Sequence, residues 1–158
     1  MLANELKLIE GEKEQRDKYI ERIDILEKVK EINILAGTNF MTTRQVADFY
    51  EVVTRTIQHI WADNRGEIQE DGVQILKGNE IKKLANDITF EATDVEIQAF
   101  KGYSLVGGAR ISNGNNILFP KRAVLRIGML LRDSPVAKEI RTLLLNVYHI
   151  VNKSSINK

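Results

Sequence analysis

The chain has no cysteine, two prolines, two histidines and a single tryptophan. Without thiols it can form neither disulfides nor thiolate zinc sites, which fits a reducing cytoplasm. His59 and His149 lie on different segments, with no clustered carboxylate beside either, so no metal site is expected. No apolar run approaches the length of a membrane span, and Met1-Leu2-Ala3-Asn4 opens no signal-peptide core, so no membrane is expected as a partner. The formal net charge is +1, and composition alone gives no reason to invoke nucleic acid. Phosphate-binding glycine motifs are missing as well. Gly107-Gly108 is followed by no Gly-Lys-Ser/Thr and belongs to no dinucleotide fingerprint, so it reads as a loop. Ser104, Ser112 and Ser134 have no visible base, and Glu67 and Glu70 lack the apolar surround that would split their pKa values. These absences argue against an enzyme and against a cofactor.

What is present is a pattern at 42–61, TTRQVADFYEVVTRTIQHIW. Thr42 and Gln45 have the spacing of a capping box, and Met41 and Val46 that of a hydrophobic staple. A first helix runs through Val46, Ala47 and Phe49 to Tyr50. Glu51 and Val52 make a turn. Val53, Ile57, Ile60 and Trp61 then give the stripe of a second amphipathic helix, which leaves Thr54, Arg55, Gln58, His59 and Ala62 outside. This spacing resembles the helix-turn-helix of bacterial and phage DNA-binding regulators. Two positions depart from it. Glu51 stands where glycine usually takes the left-handed turn, and Val53 where Ser or Thr usually caps the second helix, so the cap is expected to pass to Thr54.

Residues 4–35 hold no proline and one glycine, Gly11. Charges of both signs dominate to Lys18; after it Tyr19, Ile20, Ile23, Leu26, Val29, Ile32 and Leu35 recur at helical spacing. The expectation is one long helix, capped by Gly37, whose first half is a solvated arm or a dimer contact. After Trp61, Asp71-Gly72 is a turn signal between Ile68 and Val73-Ile75-Leu76, which predicts a small strand pair. Asn79 then caps a helix over 80–86. In order, these elements look like a winged helix-turn-helix of the excisionase or mercury-resistance regulator type. That resemblance implies a wing tip at 69–72. The tip is acidic (Glu70, Asp71), which leaves Lys77, Lys82 and Lys83 as the better phosphate contacts.

Within 87–116, strands are predicted around Val95, Ile97 and Ala99 and at 103–106, with turns at Gly107-Gly108 and 113–116. The end of the chain is basic. Ile117-Leu118-Phe119 is an extended entry, Pro120 suits a first helical position, and Ser134-Pro135 stops one helix and starts another. His149 reads as the polar side of that last helix. The order of strand, helix, Ser-containing turn and helix is similar to the end of the Bro-type amino-terminal domain of phage antirepressors. With the helix-turn-helix, 25–151 resembles the amino-terminal regulator half of phage or prophage antirepressor-like proteins.

The expected fold is therefore mainly α with a small β component. It comprises a long N-terminal helix over 1–36, a winged helix-turn-helix over 37–88, and 89–158 with loop and short strands before a basic helical hairpin. Two readings of function stand. In the first, the chain is a homodimeric regulator on double-stranded DNA, with Arg55 on a guanine edge and Gln58 on an adenine edge. The first reading places Thr54 and His59 on the same helix face, and Thr43, Arg44, Lys77, Lys82, Arg122 and Arg126 on phosphates. In the second, the apolar and basic surface of 119–141 binds a repressor or host protein, and the helix-turn-helix is scaffold.

Overall fold

A computed structural model describes residues 3–87 and 95–156, with side chains as far as residue 146. The fold is mixed α/β, about 53% helix and 18% strand in two small antiparallel sheets, not the mainly α fold expected. The long N-terminal helix is not formed. In its place are α1 (Ala3–Glu10), α2 (Lys13–Asp17) and α3 (Asp24–Val29). The break at Gly11 is closed by Arg16, which donates to the carbonyls of Leu8 at 2.6 Å and Gly11 at 2.8 Å. Beyond Val29 the chain is extended, and the N–H of Leu35 donates to the carbonyl of Phe40 at 2.8 Å. Gly37 therefore serves a turn, at φ 74°, and ends no helix. Of the apolar stripe from Tyr19 to Leu35, Tyr19, Ile20, Leu26 and Leu35 are buried within the chain itself, and Ile23, Val29 and Ile32 are half-buried.

Next come β1 (Phe40–Thr42), α4 (Thr43–Tyr50), α5 (Thr54–Asp63), the short α6 (Arg65–Gln69) and β2 (Gln74–Lys77). The wing expected from the Asp71-Gly72 signal is overturned. Ile68 lies in α6, and the turn joins that helix to β2. The strand beside β2 is β6 (Asn115–Pro120), with Ile75 opposite Ile117, and β6 also pairs with β1, with Met41 opposite Phe119. The sheet order is β1-β6-β2.

Between the neighbours β2 and β6 the chain makes an excursion over 78–114. It holds α7 (Gly78–Asn86) and a second sheet of β3 (Ile97–Ala99), β4 (Tyr103–Val106) and β5 (Ala109–Ser112) in the order β3-β4-β5. The first residues after α7, 88–94, lie outside the described part. Gly107 and Gly108 form the two-residue turn of the β4–β5 hairpin, both at positive φ, as such a turn requires. A side chain at Gly107 would collide with the Cβ of Ala36, so the hairpin tip sits directly on the main body.

The chain closes with α8 (Lys121–Leu130) and α9 (Pro135–Ile156). Pro120 is the N-cap of α8 and not its first residue. From Ala123 to Leu130 every residue of α8 is buried, because α1, α5, α6 and α9 all pack around it. Gly128 is needed where Tyr50 crosses; a Cβ there would strike the phenol oxygen, which donates to the carbonyl of Val124 at 2.5 Å. Ser134 Oγ caps α9, accepting from Ala137 N–H at 3.1 Å, and donates to the carbonyl of Tyr50 at 2.7 Å. The described helix α9 carries the backbone to residue 156, and the side chains of Val147, Tyr148, His149, Val151 and Lys153 lie outside the described set. The main core runs from Leu8 to Leu144. A smaller one joins Leu35, Ile81, Ala85, Val106, Ile111 and Leu118 and ties the excursion to the body.

Candidate nucleic-acid interface

Local chemistry sets the start of α4. Thr42 Oγ1 accepts from Gln45 N–H at 3.1 Å, and Gln45 Oε1 accepts from Thr42 N–H at 2.9 Å, a complete capping box. The helix ends on Glu51, the one non-glycine residue at positive φ among those described, at φ 57° and ψ 44°. A left-handed cap on an L-residue costs about 1–2 kcal/mol and is held here by the packing on either side. Its N–H reaches back to the carbonyl of Asp48 at 3.2 Å, and that of Val52 to Ala47 at 3.0 Å. Val53 is the N-cap of α5, without a side-chain hydrogen bond, and Thr54 is the first helical residue; the cap does not pass to Thr54.

Ile57 and Trp61 anchor α5. Trp61 meets Phe119 edge to face, centroids 5.8 Å apart, so the central strand fixes the second helix directly. Thr54, Arg55, Gln58 and His59 are exposed together on the opposite side, and Arg44 is exposed at the start of α4 beside half-buried Thr43. Lys77 ends β2 and Lys82 lies on α7, the first helix of the excursion. Arg122 is exposed but pairs with Glu21 at 3.0 Å.

Arg126 is misplaced by the sequence reading. Expected on a phosphate, it is 2% exposed and bound by the chain's own carboxylates. Its guanidinium donates to Asp71 at 2.6 and 3.0 Å, to Glu67 at 2.8 Å and to Asp17 at 2.7 Å. Arg16 takes the other side of Glu67 through two bonds of 2.6 Å. Burial pushes the Glu67 carboxyl up, yet hydrogen bonds from Arg16 and Arg126 overcome this and hold it below its usual range. For Asp17 too, burial is outweighed by Lys13 and Arg126 and the net shift is downward. The apolar part of 119–141, expected as a surface for a protein partner, is interior: Phe119, most of α8, Val136, Ala137 and Ile140 are buried, as is Arg141, whereas Arg122, Arg132 and Lys138 are exposed.

Pairing separates the arginines into two groups. Arg16, Arg22, Arg122, Arg126, Arg132 and Arg141 each have a carboxylate within ion-pair distance. Among the described residues, Arg44, Arg55, Arg65 and Arg110 have none. Arg44 starts α4, Arg55 starts α5, and Arg65 follows α5 and stacks on Trp61 at 5.5 Å. The fourth, Arg110, shares a cleft of about 490 Å³ with Arg44. Arg110 escaped the sequence reading. The signal was there in its place on the outward parity of a strand just after a Gly-Gly turn.

Among the described residues no cluster of His, Asp and Glu could hold a metal ion, and no helix is long and apolar enough to cross a membrane. Comparison with family models, curated proteins and solved structures returns no match.

Proposed function

We propose that this chain is a sequence-specific DNA-binding regulator, of the kind its sequence resembles in phage and prophage antirepressors, with α5 entering the major groove of double-stranded DNA. The observation that carries the reading is the segregation of unpaired arginines to the helix-turn-helix and its border. Among the described residues the other guanidinium groups are neutralised by the chain's own carboxylates, Arg110 in the facing hairpin excepted. Arg44, Arg55 and Arg65 are left for an external anion. Arg55 and Gln58 sit near the start of α5, the end that reaches bases in this motif, and both side chains match base edges. A sheet whose central strand packs on Trp61 gives that helix a rigid seat.

The test is selection from random duplexes, followed by binding of Arg55→Ala and Gln58→Ala. Each variant should lose about 1–3 kcal/mol on the selected site. Their melting temperatures should stay near wild type, because surface changes of this kind alter stability by less than about 0.5 kcal/mol. Trp61→Ala is the contrast, losing about 3–5 kcal/mol of stability. If wild type enriches no sequence, or both variants keep its preference, α5 does not read bases.

A further inference from the structure

We infer that the cleft between the start of α4 and the β4–β5 hairpin is a backbone-phosphate site for duplex DNA, gripped by Arg44 and Arg110. This rests on the helix-turn-helix reading above, and adds to it that the excursion over 78–114 is part of the interface. The cleft, about 490 Å³, is lined by Thr42, Arg44 and Gln45 on one side and by Gly107, Gly108 and Arg110 on the other. Asp48 also lines it, one turn beyond Arg44, but pairs with neither arginine.

The two cations differ in how they are held. Arg44 is an exposed side chain on the first turn of α4. Arg110 is positioned: its guanidinium lies over the ring of Tyr103 at 4.0 Å, and Tyr103 stacks on Phe100 with centroids 5.0 Å apart and planes 10° from parallel. Stacking fixes the plane of a guanidinium while leaving its N–H edge free, the geometry that suits two parallel bonds to a phosphate. Phe100 is 47% exposed, a costly place for an apolar ring unless it props its neighbour. The hairpin that carries Arg110 is itself pinned. Gly107 N–H donates to the carbonyl of Glu96 at 2.8 Å, and the tip rests on Ala36. A preorganised guanidinium sharing a cleft with a second one, neither paired with a carboxylate among the described residues, leaves a bound anion as the natural neutraliser, and the start of α4 is where a duplex backbone runs when α5 lies in the groove.

Wild type, Arg44→Gln, Arg110→Gln and Tyr103→Leu would be titrated with a labelled random-sequence duplex at several salt concentrations, with melting curves recorded for each. Each arginine variant should bind about threefold to tenfold more weakly on every duplex, and lower the salt slope by about one. Tyr103→Leu keeps the charge and loses its support, so affinity should fall with the slope nearly unchanged. If Arg110→Gln matches wild type while Arg55→Ala loses its site preference, the cleft is outside the interface and only this inference fails. If Arg110→Gln weakens one selected sequence alone, phosphate gripping is wrong. If wild type binds no duplex, both readings fall together.

Discussion

At Arg126 a side chain that looks like one of several basic groups on a helix proves to be the hub of a buried ionic cluster. Nothing near it in sequence announces this, because Asp17 arrives from α2 and Glu67 and Asp71 from α6 and the turn after it. Removing one partner from such a cluster leaves uncompensated charge, so Arg126→Met should cost about 3–5 kcal/mol, measured by denaturant unfolding at pH 7. The pH dependence has a definite sign. Glu67 and Asp17 titrate lower in the folded chain than when unfolded, so they add stability above their unfolded pKa values, near 4, and that stability drains away as pH falls through the folded values. Wild type should therefore lose stability steeply below about pH 4. Arg126→Met should show a shallower acid limb; an identical limb would mean that Arg126 does not hold these carboxylates down.

The elements legible in the sequence were those specified by neighbours. Thr42 and Gln45 cap α4 and Ser134 caps α9 through contacts a few residues apart, and the spacing of Ile57 and Trp61 points α5 inward. Glu51 is legible too, as a misfit, and its geometry makes a prediction. Glu51→Gly relieves the left-handed strain at the loss of only an exposed 3.7 Å contact with Lys30, and should raise stability by about 0.5–1 kcal/mol in thermal unfolding. Glu51→Val, β-branched at the same φ, should lower it by about 1–3 kcal/mol. What misled the reading was pairing at a distance. Ile68, Val73 and Leu76 around Asp71-Gly72 have the look of a hairpin, yet β2 finds its partner in β6, on the far side of the excursion. Helical spacing from Tyr19 to Leu35 was equally ambiguous, since extended residues near Leu35 bury apolar side chains as well as a helix would. The strand β5, with Arg110, is not legible in the sequence because its alternation is short and the placing of Arg110 depends on Tyr103 across the hairpin.

For the molecule as a whole, the N-terminal helices are structural and not an arm. Leu8, Ile9 and Arg16 are buried, and α1 packs on α8 and α9. A chain lacking residues 1–17 should lose cooperative unfolding, seen as a broadened thermal transition with exposed apolar surface. Retention of the wild-type transition would show these helices to be dispensable. The placement of β6 has a further consequence, for timing. Synthesis proceeds from the N-terminus at roughly 5–20 residues per second, so Thr42 and Trp61 emerge on the order of ten seconds before the strand and helix they rest on. Until Phe119 and Val124 have been made, Met41 has no strand partner, Trp61 no ring to meet and Tyr50 no carbonyl to bond. A nascent chain that already contains all of α4 and α5 therefore still lacks the contacts that seat them, and the helix pair gains its rigid support only once residues 115–130 have been made.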